Sequence, residues 1–262
     1  MLKRRFSRLH SGVVHVAKAQ DSPRKGVLVL THHKCASTFL RLYLDEFART
    51  NELTLCESHY GTAKRADGSQ ITYLNNAVYA SIAEDLNVPA LHIIRNPLDL
   101  LVSAYWSHRG THAVHDWPAL QDQRDVLQKC GHEEGLFLTL AFIEGGEFYP
   151  ETPGPLMAMR AWRYDDPRIR TVRMEDMVKD VNSSIGDFLA DSFDCPARTI
   201  DAERFTFERM SNGRKPGEID PQSHYRAGLP GEWRATLPAP IVAYIRTHYR
   251  HVLERYYPDA LD

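Results

Sequence analysis

This sequence predicts a three-layer α/β fold, a central and mostly parallel sheet with helices on both faces, and two observations carry that prediction. Apolar, β-branched runs recur at Val27-Leu28-Val29-Leu30-Thr31, Ala90-Leu91-His92-Ile93-Ile94 and Ile169-Arg170-Thr171-Val172-Arg173, with helix-spaced segments between them. The first run stops at a short polar turn, His32-His33-Lys34-Cys35-Ala36, from which Ser37 and Thr38 lead into the helical spacing of Phe39, Leu40, Tyr43 and Leu44. Strand, lysine turn and helix start together make a P-loop-like anion site. Backbone N–H groups at a helix start lack partners, and the helix dipole adds roughly half a positive charge there.

The elements are expected in the following order. Residues 1–25 mix basic and small side chains without strong periodicity and read as an outer arm or helix ending at the turn Asp21-Ser22-Pro23-Arg24. The first strand is 27–31 and the first helix about 37–50; Leu53 to Cys56 is a second short strand, followed by a polar loop from Glu57 to Gly61 and a loop or hairpin through Asp67-Gly68. Asn75 to Asn87 has helical apolar spacing, and Ala90 to Ile94 is a buried third strand ending at Arg95-Asn96-Pro97. Pro97 suits a first helical turn and Asp99 suits its positive end, so a helix runs on to Trp106. His108 to His115 is a polar, histidine-rich loop expected to be solvated. Helices then follow at Trp117 to Cys130, Leu136 to Glu144, Met157 to Tyr164 and Ile185 to Phe193, with a fourth strand at 169–173. Gly145 to Pro155 and Ser211 to Gly231 are irregular, and Ala239 to Tyr256 closes the chain as one long amphipathic helix.

At 262 residues, 43% hydrophobic and 25% charged, the chain has enough apolar content for one large core, and residues 1–262 are read as a single domain. With 32 basic and 34 acidic side chains the net charge is −2, so no global field draws it to nucleic acid and any polyanion site must be local. Cys35, Cys56, Cys130 and Cys195 form no CxxC pair, which suggests neither a zinc site nor a disulfide framework. No secretion signal or membrane-spanning run is present, so a cytoplasmic location without integral membrane contact is expected.

Two further segments add to the lysine turn. Arg95 at a strand end and Ser103 along the following helix supply a guanidinium fork and a hydroxyl for a second phosphate. Ser223 to Trp233 is a basic, glycine-containing loop that can wrap an anion with side chain and backbone together, anchored by Trp233.

Together these segments resemble the sulfotransferases that use 3′-phosphoadenosine 5′-phosphosulfate (PAPS), the activated sulfate donor. The lysine turn of that family, usually Tyr-Pro-Lys-Ser-Gly-Thr-Thr-Trp, stands here as His32-His33-Lys34-Cys35-Ala36-Ser37-Thr38-Phe39. Its Arg-Asn-Pro-x-Asp element with a following serine is matched by Arg95 to Asp99 and Ser103, and its Arg-Lys-Gly-x-x-Gly-Asp-Trp by Arg226-Ala227-Gly228-Leu229-Pro230-Gly231-Glu232-Trp233. Met174-Glu175-Asp176-Met177 is a weaker match to Tyr-Glu-Asp-Leu. The resemblance implies that the turn from His33 through Lys34, Cys35, Ala36, Ser37 and Thr38 holds the 5′-phosphosulfate, with Lys34 stabilising the leaving bridging oxygen. It implies that Arg95, Ser103, Arg226, Ala227 and Gly228 hold the 3′-phosphate, that Phe39 replaces the family tryptophan beside the adenine, and that Phe207 covers its other face. The product would be 3′,5′-adenosine bisphosphate (PAP), and no metal is implied. Ala36 stands where the family has glycine, so the turn must avoid positive φ there or be strained.

An acceptor hydroxyl must also lose a proton to a base within about 3 Å or one water. Glu57 and His59, on the loop after the second strand, are the first candidates, and His33 is a further one. The expected accepting group is a hydroxyl, with an amine as the alternative, of a small molecule, lipid or glycan; aromatics such as Tyr60, Tyr105, Trp106, Trp117, Phe142 and Tyr149 can line its pocket, and a homodimer is left open. Two other readings are a P-loop small-molecule or nucleotide kinase and a non-catalytic nucleotide-binding remnant. No Gly-x-x-x-x-Gly-Lys-Ser/Thr occurs and no acidic residue ends a clear strand as a magnesium ligand should, which counts against the kinase. Retention of Lys34, Arg95, Ser103 and Arg226 counts against the remnant.

Overall fold

Alternating side-chain direction along each strand divides the apolar residues between two cores, and the sheet lies between them. In the computed structural model, which describes residues 13–14, 26–59, 69–84, 86–115, 117–150, 152–193 and 200–262, six strands form one sheet. They are β1 (Val13–Val14), β2 (Val27–Thr31), β3 (Leu55–Ser58), β4 (Ile71–Leu74), β5 (Ala90–Ile94) and β6 (Ile169–Arg173). Their spatial order is β1-β3-β4-β2-β5-β6; β1 runs antiparallel to β3 and every other pairing is parallel. Val27 and Val29 of β2, with Leu91 and Ile93 of β5, face α1 (Ser37–Thr50) through its buried Phe39, Leu40, Tyr43, Leu44 and Phe47. Leu28 and Leu30, with Ala90 and Ile94, face the opposite core beneath α3 (Pro97–Trp106), which follows the short α2 (Tyr79–Ile82).

The same core takes in α4 (Pro118–Leu127), α5 (His132–Ile143) and α6 (Pro155–Arg160) through Leu120, Leu136 and Leu156. After β6 come α7 (Met174–Met177), α8 (Asp187–Phe193), α9 (Phe207–Met210), α10 (Trp233–Thr236), α11 (Ala239–His248) and α12 (Arg250–Tyr256). Every parallel strand delivers its carboxyl end to one edge of the sheet, and β2 sits where the connections depart to opposite sides, the switch point at which open α/β sheets bind ligands.

The predicted fold class is the observed one, and several elements differ in extent. The second strand lies at Leu55–Ser58, two residues later than expected, and pairs with β4, a strand the sequence did not reveal. Ile71 to Leu74 is only four residues long and wholly buried, too short to show alternation. The expected helix from Asn75 to Asn87 shrinks to α2, because Asn76 takes a left-handed φ of 64° and turns the chain first. The expected C-terminal helix breaks at Tyr249, which is fully buried, has a φ of −114° and donates its hydroxyl to Glu144. The polar segment after Trp106 is no loop: α3 continues as a π-turn, Ser107–Thr111, with His108 fully buried. The arm over 1–25 lies outside the described residues apart from β1, as do Asp67-Gly68, Tyr60 and Cys195.

Ala36 answers the glycine question. It caps α1 with φ 60° and ψ 32°, the left-handed region, and accepts Leu40 N–H at 2.9 Å. An L residue there costs about 1–2 kcal/mol, part of which the greater unfolded freedom of glycine offsets. Ala36→Gly is therefore expected to raise stability by about 0.5–1 kcal/mol, read as a higher denaturant midpoint at unchanged slope.

Candidate active site

The segments leaving the carboxyl ends of β2, β3, β4, β5 and β6 converge on one cleft of about 980 Å³. The turn after β2 supplies its floor: His33, Lys34, Ala36, Ser37, Thr38 and Phe39 all line it. Lys34 is held at φ 66° and has no acidic partner among the described residues. Burial, then the charges of Arg95 and Arg226, lower its pKa to about 7. α1 carries no side-chain cap and no acidic residue in its first turn, so its N-terminal N–H groups stay available to an anion.

Cys35 departs from the sequence reading. Its side chain is fully buried under the turn, its N–H is bonded to His32 O at 3.0 Å, and it does not line the cleft. Burial pushes its thiol up to about 12, so it serves packing and not ligand binding.

Arg95 stands at the end of β5, where one Nη donates to Lys34 O at 3.0 Å and its buried Nε lacks a partner. That unfilled donor makes the guanidinium a receptor for an anion. Ser103 lines the same wall on α3. Arg226 reaches in from the irregular stretch 211–231, the covering segment of the cleft, paired to Glu232, with its guanidinium 5.5 Å from the Trp106 ring centre.

Two buried carboxylates fix this frame by accepting backbone N–H and hydroxyl hydrogen bonds. Asp99, 3% exposed at the start of α3, accepts from Gly231 N at 2.8 Å and more weakly from Trp233 N at 3.4 Å, tying the third motif to the second. Glu175 accepts from Asn96 N at 3.0 Å and Tyr257 O–H at 2.9 Å, so the Met-Glu-Asp-Met segment secures the Arg95 turn while Met174 lines the cleft.

Phe207 and Gly228 meet where the sequence placed an aromatic face. Gly228 has φ +69°, and a Cβ there would lie 2.5 Å from the Phe207 ring, so this approach requires glycine. Arg214, which sequence reading missed, holds the covering segment: it donates to Glu218 O at 2.9 Å, Arg226 O at 3.0 Å, Ser223 Oγ at 2.8 Å and Tyr225 O at 2.5 Å, with its guanidinium over the Phe207 ring. An isolated arginine in an irregular stretch carries no motif by which to find it. Ala227 lines the cleft and accepts from Gly217 N at 2.7 Å, and Phe39 packs edge-on to Phe205, 6.0 Å between ring centres.

On the far side lie His59, Asn75, Asn76, His112, His115, Trp117 and Tyr149. His59 is 56% exposed at the rim, with Nε2 3.6 Å from Glu57 Oε1 and Nδ1 3.3 Å from Asn75 Nδ2. The Asn75 amide donates to Nδ1, which leaves the Nε2 proton directed at Glu57 and no free lone pair on the neutral ring. Glu57 does not line the cleft; burial raises its pKa, opposed by His59 and Arg41. Of the remaining aromatics singled out in the sequence, Trp106 lines the cleft, whereas Tyr105 is core and Phe142 packs on it. No group of three or more metal-ligating side chains occurs among the described residues, and no described helix is long and apolar enough to cross a membrane.

Comparison with known proteins identifies the fold and the family. Among solved structures the fold is similar to that of mouse sulfotransferase SULT7A1 complexed with PAP, at 14% identity and a TM-score of 0.53, covering 90% of this chain and 91% of that one. Retinol dehydratase in a complex with retinol and PAP matches at 14% identity with a TM-score of 0.48 over 89% of this chain and 82% of that one. No curated protein sequence matches the chain. The family model for the sulfotransferase domain matches residues 72–257, a stretch that holds the Arg95, Ser103 and Arg226 elements, and on that match this chain belongs to the sulfotransferase family.

Proposed function

We propose that the chain moves a sulfuryl group from PAPS to a hydroxyl of a small-molecule or glycan acceptor, by in-line transfer within the cleft. The observation that carries this reading is the pairing of two anion receptors on one cleft wall: Lys34 with the open start of α1, and Arg95 with Ser103 and Arg226. The residues fit the donor, since the unpartnered Arg95 Nε and the uncapped helix start are donors in need of acceptors. The shared fold with a sulfotransferase solved with PAP supports the same reading.

The donor supplies an activated sulfuryl group on a phosphate leaving group. Lys34, Ser37 and Thr38 bind the 5′ end, and Lys34 holds a positive charge where the leaving oxygen gains negative charge. Arg95, Ser103, Arg226 and the Gly228 backbone bind the 3′-phosphate, while Phe39 and Phe207 flank the base. His59 lines the rim, with Nε2 3.6 Å from Glu57 behind it.

The test is thermal stabilisation. PAP is expected to raise the melting temperature in the presence of a chelator, whereas ATP with magnesium gives no comparable shift. Stabilisation by ATP with magnesium and none by PAP would transfer the chain to the kinase reading.

A further inference from the structure

Beside Lys34 the cleft wall contains a chain of polar groups. His33 lines the cleft, is 7% exposed, and places Nε2 2.8 Å from Nε2 of His108. His108 is fully buried among the rings of Trp117, Phe142 and Phe148. Two imidazole nitrogens at this distance share one proton, so one ring donates and the other accepts. Behind them, His108 Nδ1 is buried without a partner, and so are both amide atoms of Gln123 on α4. Gln123 is the polar side chain beside His108 on this flank, and its carbonyl is able to accept from a ring N–H. A proton on His108 Nδ1, with the Gln123 amide turned so that Oε1 accepts it, would partner two of these three orphaned atoms. His108 Nε2 is then bare and accepts from His33 Nε2–H, and the lone pair of His33 remains on Nδ1.

We propose that His33 takes the proton of the sulfuryl acceptor, with His108 and Gln123 as positioning residues that fix its tautomer. This rests on the sulfuryl-transfer reading above. In the step, the acceptor oxygen forms its bond to sulfur as the bond from sulfur to the bridging phosphate oxygen breaks, and that electron pair stays on the phosphate of PAP. The acceptor proton moves to His33 Nδ1, giving an imidazolium that shares its Nε2 proton with His108 and releases the extra proton to water once product leaves. The groups facing His33 are Lys34 on its own turn, His108 on the π-turn, His112 just after it, and His224 on the segment that covers the cleft. The negative donor beside these groups supports the charged ring. His59 is set apart from this array: it lies 56% exposed at the rim, and the Asn75 amide occupies its Nδ1.

Imidazole nitrogen–proton correlation spectra of the full-length chain with PAP bound test the tautomer. His33 is expected to carry its proton on Nε2 and His108 on Nδ1; a proton on His33 Nδ1 overturns the proposal. Turnover is then followed as conversion of PAPS to PAP with water as acceptor. His33→Gln is expected to lose about a hundredfold or more in kcat, with PAP affinity held within about twofold. Gln123→Met, a milder change, is expected to lose about tenfold and to move the His33 proton to Nδ1. Loss of no more than about twofold in both variants sinks the assignment. A wild-type chain that fails to bind PAP would instead sink the sulfuryl-transfer reading, so the two failures are distinguishable.

Discussion

Lys34→Ala is expected to lower sulfuryl transfer by a few hundredfold, about 3–4 kcal/mol of transition-state stabilisation, while PAP binding survives in weakened form. The loss falls mainly on kcat because the lysine faces charge that develops as the bridging oxygen departs. A pH signature accompanies it. In the ligand-free cleft Lys34 titrates at about 7, lowered by burial and by Arg95 and Arg226. A bound polyanion favours the charged form and raises that pKa, so binding takes up a proton above pH 7. Wild-type affinity for PAP is therefore flat below pH 7 and falls by up to about tenfold per unit above it, and Lys34→Ala loses this dependence. Calorimetry of PAP binding in buffers of different ionisation enthalpy reads the proton uptake directly. Near-normal turnover in Lys34→Ala, or no proton uptake by the wild type at pH 8, would remove the lysine from its assigned role.

Acid is expected to unfold this protein steeply between about pH 6 and 4.5. Two histidine pairs account for this: His32 with His92 and His33 with His108, each with Nε2 atoms 2.8 Å apart and each ring less than a tenth exposed. Burial is the main cause that lowers all four, His32 to about 3 and the other three well below their ordinary value. A histidine neutral in the folded chain and charged in the unfolded one makes the unfolded state bind more protons. Stability is then full above the unfolded pKa near 6.5 and is lost as pH falls toward the folded values. Four such groups cost about 5 kcal/mol per pH unit once below 6, against a typical total of about 5–15 kcal/mol. Denaturant titrations at pH 7.5, 6.0 and 5.0 measure the slope. His92→Gln is expected to flatten it by about a quarter, and a stability independent of pH across this range would contradict the buried neutral pairs.

The adjacent residues His32 and His33 show what was and was not legible in the sequence. Their position between a β-branched strand and a helix start was readable, and so was the meaning of Lys34 beside them. Their partners were not, because His92 lies 60 positions away and His108 lies 75 away, on different elements. His108 read as a solvated loop residue, since nothing local marks it for burial; the rings of Trp117, Phe142 and Phe148 that enclose it come from distant segments. Likewise Arg95, Ser103 and Arg226 were visible as motifs and Asp99 as a helix-start residue, whereas Arg214, and the hold of Asp99 on Gly231, acquire meaning only from the backbone groups they bind. Cys35 shows the opposite case. A motif position suggested a ligand, and the turn placed its side chain in the core.

By itself the sequence determined the α/β class, the lysine turn at the end of β2 and the order of the anion-binding elements, because strand patterning, helix starts and short motifs are local properties of the chain. The tertiary structure alone decided that Ala36 would be left-handed, that β4 would complete the sheet, and that four histidines would be buried in neutral pairs. Those outcomes depend on contacts between residues far apart in the chain, where burial and the supply of hydrogen-bond partners override local preference.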